Sequence, residues 1–231
     1  METPEQLSIY YGNGKEQFGA LLDEVGRAAT SNHETDLCRI MKRCGSDKGL
    51  GWHNYTLLYQ ELFRPFINER FHLLEVGIGT NNLDVPSNMG ESGVPGASLR
   101  GWREFFLHCT VCGADVDKRI LFEEDRIRTF FVDQNDTSSI DNLFSTIPHI
   151  EFDIIIDDGL HEVIANRNLF ERAIHRLKSG GVYVIEDIVT TFVNLSKFDE
   201  LIAQSGMSGF IYQLPSEANK IDNAVAVIKK A

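Results

Sequence analysis

The sequence predicts an α/β protein with a mostly parallel sheet covered by helices on both faces. A C-terminal antiparallel hairpin and an N-terminal helical cap complete it. Three observations carry this. From about Phe71, short apolar runs alternate with helical patterns, the signature of a covered parallel sheet. The tail instead holds two strand-like runs, "GFIYQLP" and "NAVAVIKK", with too little chain between them for a helical crossover, which implies a hairpin. Residues 1–70 read as helices. The division is therefore an N-terminal cap over 1–70 and a catalytic or binding domain over 71–231.

In order along the chain, "EQFGALLDEVGRAA", "ETDLCRIMKRC" and "YTLLYQELFRPFI" are the helices of the cap. "FHLLEVGIG" is a strand running into a glycine turn, and "GASLRGWREFF" is a helix. "CTVCGADVD", "IRTFFVDQ" and "FDIIIDD" are the next strands. "HEVIANRNLFERAIHRLKSGG" reads as one helix. Val163, Phe170, Ile174 and Leu177 lie on its apolar face, and Gly180 and Gly181 suit its C-terminal cap. "VYVIED" is the fifth strand of the parallel set.

The 231 residues, 42% hydrophobic, suffice for one sizeable core. A net charge of −12 repels phosphate backbones and argues against nucleic acid as a partner. No run approaches the roughly 18 apolar residues of a membrane span, and "METPEQLSIYYGNG" has no secretory signal pattern. Cys38, Cys44, Cys109 and Cys112 include one CxxC. On a strand, positions i and i+3 face opposite ways, so these read as core thiols in a reducing, cytoplasmic setting.

Candidate chemistry gathers at the strand ends. After the first strand, Glu75, Gly77 and Gly79 allow a ligand close to the backbone. The third glycine of a dinucleotide fingerprint is replaced by Asn82, which favours a nucleoside ligand without a pyrophosphate. Asp115 ends the second strand, where an acid accepts from ribose hydroxyls, and Asp117 competes for that role. Asp133 and Gln134 follow the third strand, where a base is read. "IIIDDGLH" and "VIED" end side by side if their strands are neighbours. That brings Asp157, Asp158, Glu186 and Asp187 to one rim, which calls for a cation or bound protons. Hard oxygen ligands suit Mg²⁺, with Mn²⁺ or Ca²⁺ also accommodated. Asp157 should turn away from Asp158, because adjacent strand residues alternate. His161, at a helix start, should have a lowered pKa and serve as a neutral base. "GSDKGLGWHNYT" lacks phosphate-loop spacing. Lys48, His53 and Tyr55 either close over the ligand or belong to a structured interhelical loop.

The stretches "GSDKG…HNYTLLY", "LLEVGIG", "GASLRGWREFF", "GADVDK", "DDGLH" and "GGVYVIED" resemble the class I S-adenosylmethionine-dependent methyltransferases, over about four fifths of the chain. Within that class they are most similar to the metal-dependent macrolide sugar O-methyltransferases. The resemblance implies a Rossmann-like seven-stranded methyltransferase sheet and S-adenosylmethionine as cofactor. It implies Glu75, Gly77, Gly79 and Asp115 at the cofactor, with Asp133 and Gln134 beside them. It implies Asp158, Glu186 and Asp187 on Mg²⁺, His161 as general base, and a sugar or glycoside as small-molecule substrate. The oligomeric state is left open, a homo-oligomer included. Two rival readings are a nicotinamide oxidoreductase on a doubly wound sheet and a non-catalytic binding protein of the same fold.

Overall fold

The structure is a computed structural model that describes residues 10–11, 13–31, 34–214 and 216–231. Its parallel strands are β2 (His72–Val76), β3 (Thr110–Asp115), β5 (Ile127–Phe131), β6 (Phe152–Asp157) and β7 (Leu177–Ile188). The hairpin is β8 (Ser208–Gln213) and β9 (Ala224–Lys229), antiparallel with Phe210 opposite Val227. Two-residue edge strands, β1 (Tyr10–Tyr11) and β4 (Glu123–Glu124), extend the sheet to nine, in the order β1-β8-β9-β7-β6-β2-β3-β5-β4. The seven-stranded sheet is thus present, with a short edge strand added on each side.

The helices are α1 (Lys15–Ser31), α2 (Asp36–Cys44), α3 (Tyr55–Leu62), α4 (Ala97–Phe105), α5 (Thr137–Thr146), α6 (Val163–Ala173) and α7 (Phe192–Ser205). Alternation along each strand divides the apolar side chains between two cores. Leu73, Val111, Ile154, Ile156, Val182 and Val184 pack with Val25, Met41, Tyr59 and Trp102 of the cap and α4. Leu74, Cys112, Ile155, Tyr183 and Ile185 pack with Leu143, Leu169 and Phe198 of α5, α6 and α7. The cap therefore shares a core with one face of the sheet. Cys109 and Cys112 fall in opposite cores, and all four cysteines are free.

The helix expected to run to Gly181 stops early. After Ala173 the chain makes a 3₁₀ turn over 174–176 and enters β7 at Leu177. Gly180 and Gly181 exchange backbone hydrogen bonds with Lys230, so they belong to the sheet and cap no helix. The apolar face read from Val163 to Leu177 therefore mixes a helix with the strand that follows. The chain fills the sheet from β2 outward through β3 to β5, then returns to place β6 on the other side of β2. That reversal opens a crevice beyond the carboxyl end of β2.

Candidate active site

A cavity of about 670 Å³ occupies this crevice, within the usual range for a small-molecule site. Gly77 and Gly79 form its floor. Gly77 has φ +88°, and a Cβ there would lie 1.8 Å from the Asp158 carbonyl oxygen, so only glycine lets β2 and β6 leave the sheet this close together. Gly159 closes the same corner, where a Cβ would lie 1.9 Å from Gln134 Oε1.

Asp115 lines the cavity and is 7% exposed. Its Oδ2 accepts from Ile78 N (2.9 Å) and its Oδ1 from Asp117 N (2.8 Å), which fixes the carboxylate with lone pairs to spare. Burial raises its pKa, and those backbone donors oppose the rise. Asp117 lies off the cavity, its side chain consumed by Arg119, Thr80 and Asn82. Asp133 and Gln134 both line the cavity. The Gln134 amide is already engaged, however: Nε2 donates to Asp157 Oδ1 (2.7 Å) and Oε1 accepts from Leu160 N (2.8 Å). It braces the β6 loop and is not free to read a base.

Glu75 corrects another expectation. It is fully buried behind the cavity, accepting from Ser98 Oγ (2.6 Å) and from Trp102 Nε1, so it anchors α4 and touches no ligand space. Burial raises its pKa against the pull of Lys48.

The acidic rim is assembled from the ends of β6 and β7 and the loop after β6. Asp158 and Asp187 converge on His161, with Nε2 at 3.4 Å from Asp158 Oδ1 and 3.3 Å from Asp187 Oδ2. One ligand atom from each of the three lies within 4.8 Å of the others, and the buried Nε2 has no hydrogen-bond partner among the described residues. The two converging carboxylates fit a divalent cation, with the imidazole beside them. His161 and Asp187 both carry positive φ, +60° and +54°, strained backbone of the kind that collects at functional sites. Asp157 faces away: both its oxygens accept amide protons, from Gln134 and from Asn166 Nδ2 (3.0 Å).

Glu186 departs from the expected ligand set. Its Oε1 accepts from Tyr59 Oη (2.6 Å) and its Oε2 from Lys48 Nζ (2.5 Å), so it points into the cap, away from His161. Burial raises its pKa strongly. His161 departs too. It precedes the N-cap residue Glu162, outside the first helical turn. Burial would lower its pKa, but Asp158 and Asp187 outweigh burial and raise it to about 9. Burial alone would raise the Asp158 pKa, yet Lys48 and His161 hold it at about 2.

The segment left open in the sequence proves central. Lys48, 2% exposed, also donates to Asp158 Oδ2 (2.6 Å) and sits 3.6 Å from Glu75 Oε1. Tyr55 Oη donates to Asp187 Oδ1 (2.6 Å), and the His53 ring stacks on Tyr55 with Nδ1 at 3.3 Å from Asp187 Oδ1. Trp52, Val85, Pro86, Met89 and Leu160 give the cavity an apolar wall. The signal available for Lys48, Tyr55 and Tyr59 was a cluster of polar donors beside a helix otherwise rich in leucine. Nothing local names their carboxylate partners more than 100 residues away.

No protein-family model matches the chain. The 8-demethyl-8-alpha-L-rhamnosyl tetracenomycin-C 2'-O-methyltransferase of Streptomyces olivaceus is 34% identical over 165 residues, 71% of this chain and 41% of that protein. The mycinamicin VI 2''-O-methyltransferase of Micromonospora griseorubida is 32% identical over 191 residues, 83% of this chain and 44% of that protein. The chain spans less than half the length of these curated relatives. Among solved structures, the MycE methyltransferase of the mycinamycin biosynthetic pathway, in complex with Mg and SAH, superposes with a TM-score of 0.63 at 26% identity. That match covers 94% of this chain and 60% of MycE. A Bacillus cereus O-methyltransferase in complex with SAH (15% identity, TM-score 0.54, 91% of each chain) shares the fold.

Proposed function

We infer that this chain, a class I S-adenosylmethionine-dependent methyltransferase related to the macrolide sugar O-methyltransferases, methylates a hydroxyl of a sugar or glycosylated small molecule with the help of Mg²⁺. The observation that carries the reading is one cavity bordered on one side by Gly77, Gly79 and Asp115 and on the other by Asp158, His161 and Asp187. The first set fits an adenosyl cofactor and the second a divalent cation. Relatives named for sugar O-methylation, and MycE with Mg and SAH bound, support it.

When bound, S-adenosylmethionine supplies an electrophilic methyl group and the cation supplies a Lewis acid beside the acceptor oxygen. Asp115 accepts from the ribose hydroxyls with lone pairs not taken by Ile78 N and Asp117 N. Gly77 and Gly79 let the ligand approach the backbone. Asp158 and Asp187 would hold the cation. With the charge of those carboxylates offset, His161 Nε2 would be the proton acceptor. Leu160, Val85 and Trp52 present apolar surface to the cavity. The cap, 1–70, supplies Lys48, Tyr55 and Tyr59 to the acidic rim of 71–231. A cytoplasmic setting is consistent with four free thiols, and no helix among the described residues is long and apolar enough to cross a membrane.

The test is turnover. The purified chain is incubated with S-adenosylmethionine, Mg²⁺ and a panel of rhamnosyl and other deoxysugar glycosides, and S-adenosylhomocysteine is measured. Acceptor-dependent product that disappears with chelator and returns with Mg²⁺ is expected. S-adenosylhomocysteine binding without turnover on any hydroxylated acceptor would overturn the enzymatic reading.

A further inference from the structure

Lys48 is the feature that the proposed chemistry does not use. Its ammonium bridges Asp158 Oδ2 (2.6 Å) and Glu186 Oε2 (2.5 Å). The His161 side of the cluster offers a divalent ion Asp158 Oδ1 and Asp187 Oδ2, and an ion there that also drew on Asp158 Oδ2 or Glu186 Oε2 would meet the ammonium. The two cations cannot share those oxygens. The ammonium also has another carboxylate within reach, since Glu75 Oε1 lies 3.6 Å away. The lysine backbone is fixed by Lys48 N donating to Ser46 Oγ (3.3 Å) and Thr56 N donating to Lys48 O (3.1 Å), so a move would fall to its flexible four-carbon stem. The other charge in the cluster, His161, meets the opposite oxygen of Asp158, so Asp158 is contested from both sides.

We propose that Lys48 is an internal counter-cation that competes with the divalent cation for Asp158 and Glu186. This rests on the metal-dependent reading above. Before metal arrives, the ammonium keeps Glu75, Asp158 and Glu186 together, carboxylates that would otherwise repel one another in a buried site. Its charge also weakens the hold on metal. On metal binding, Lys48 shifts toward Glu75, and Glu186 is released to join Asp158 and Asp187. Lys48 is a positioning residue that sets metal affinity and touches no reacting atom.

The experiment is calorimetric titration of Mn²⁺ into the full chain and into Lys48→Met, with thermal melts of each. Lys48→Met should bind Mn²⁺ at least about tenfold tighter, because a like charge next to the metal is removed. It should melt lower than the parent without metal and gain more Tm from Mn²⁺. Equal or weaker Mn²⁺ binding by a natively folded Lys48→Met overturns the competition. Should that variant not fold, Lys48→Met with Glu75→Gln removes the ammonium and one buried carboxylate together and makes the same comparison. Failure of both parent and variant to bind Mn²⁺, while both still bind S-adenosylhomocysteine, would instead overturn the metal-dependent reading itself.

Discussion

A Cβ placed on Gly77 would lie 1.8 Å from the backbone carbonyl oxygen of Asp158. The neighbour is backbone, and Asp158 N is itself tied to Val76 O at 2.8 Å, so neither side can give way. Gly77→Ala should therefore cost more than about 3 kcal/mol, adding a clash to a left-handed φ. Urea unfolding measures it, and a midpoint equal to the parent's would show that the two strand ends can separate. The same variant should lose S-adenosylhomocysteine binding, because the floor of the cavity moves.

Asp115→Ala should weaken S-adenosylhomocysteine binding by roughly 1.5–3 kcal/mol, the usual loss for a hydrogen bond to a charged acceptor. Some stability is lost as well, since Ile78 N and Asp117 N are left without their acceptor. Asp117→Asn is the control. Its carboxylate serves Arg119 and Thr80 and lies off the cavity, so affinity should stay near the parent's. Calorimetry with both variants decides between the two aspartates.

The strand ends were legible because apolar runs, glycines and acids follow one another in a fixed grammar. Gly77, Asp115, Asp158 and Asp187 all fall on or beside the cavity for that reason. Direction of side chains was not legible where burial depends on distant partners. Glu75 sits one residue before the end of β2 and Asp115 at the end of β3, yet one meets Trp102 and the other the cavity. Glu186 follows Ile185 as the alternation requires, but its outcome is set by Lys48 and Tyr59, which a local pattern cannot supply. Helix α6 was overextended because Ile174 and Leu177 continue its apolar spacing by coincidence, while Gly180 and Gly181 pair with Lys230.

His161→Ala should lower turnover by about 10²- to 10⁴-fold, the range for a lost general base. S-adenosylhomocysteine affinity should be unchanged. Mn²⁺ affinity should fall by no more than the roughly 10–100-fold of an outer-shell change, because Asp158 and Asp187 remain. Complete loss of Mn²⁺ binding would make His161 a ligand and leave the proton without an acceptor.

The thiols should respond to unfolding in order of burial. Cys38, Cys109 and Cys112 are buried and Cys44 is partly exposed, so a thiol reagent at neutral pH should label Cys44 first and the others only on denaturation. Burial raises Cys112 from 9.0 to about 11 and Cys109 further still. A folded pKa above the unfolded value means the neutral thiol stabilises the fold. That contribution is whole below pH 9 and is lost as pH rises through about 11. Native labelling of more than one thiol at pH 7, read by mass spectrometry, would contradict this.

Adjacent aspartates on β6 should behave as opposites. Asp157 is fully buried, and both its oxygens accept amide protons, from Gln134 and Asn166. Asparagine at 157 keeps one acceptor and sets an NH₂ against one of those amides. Gln134 cannot turn to repair this, because its Oε1 already accepts from Leu160 N. Asp157→Asn should therefore cost about 1–3 kcal/mol of stability and leave Mn²⁺ affinity near the parent's. Asp158 faces the cation instead. In Asp158→Asn, Lys48 still has Glu186 and Glu75, so the fold should survive, while Mn²⁺ affinity should fall by more than the roughly 10–100-fold of an outer-shell change, because a direct charged ligand is lost. Urea unfolding and Mn²⁺ calorimetry on the two variants give four numbers. Equal loss of metal binding in both would mean that strand alternation does not separate the structural carboxylate from the ligand. The apolar run of β6 would then end in a single acidic unit, with Asp157 drawn to the metal despite its amide partners.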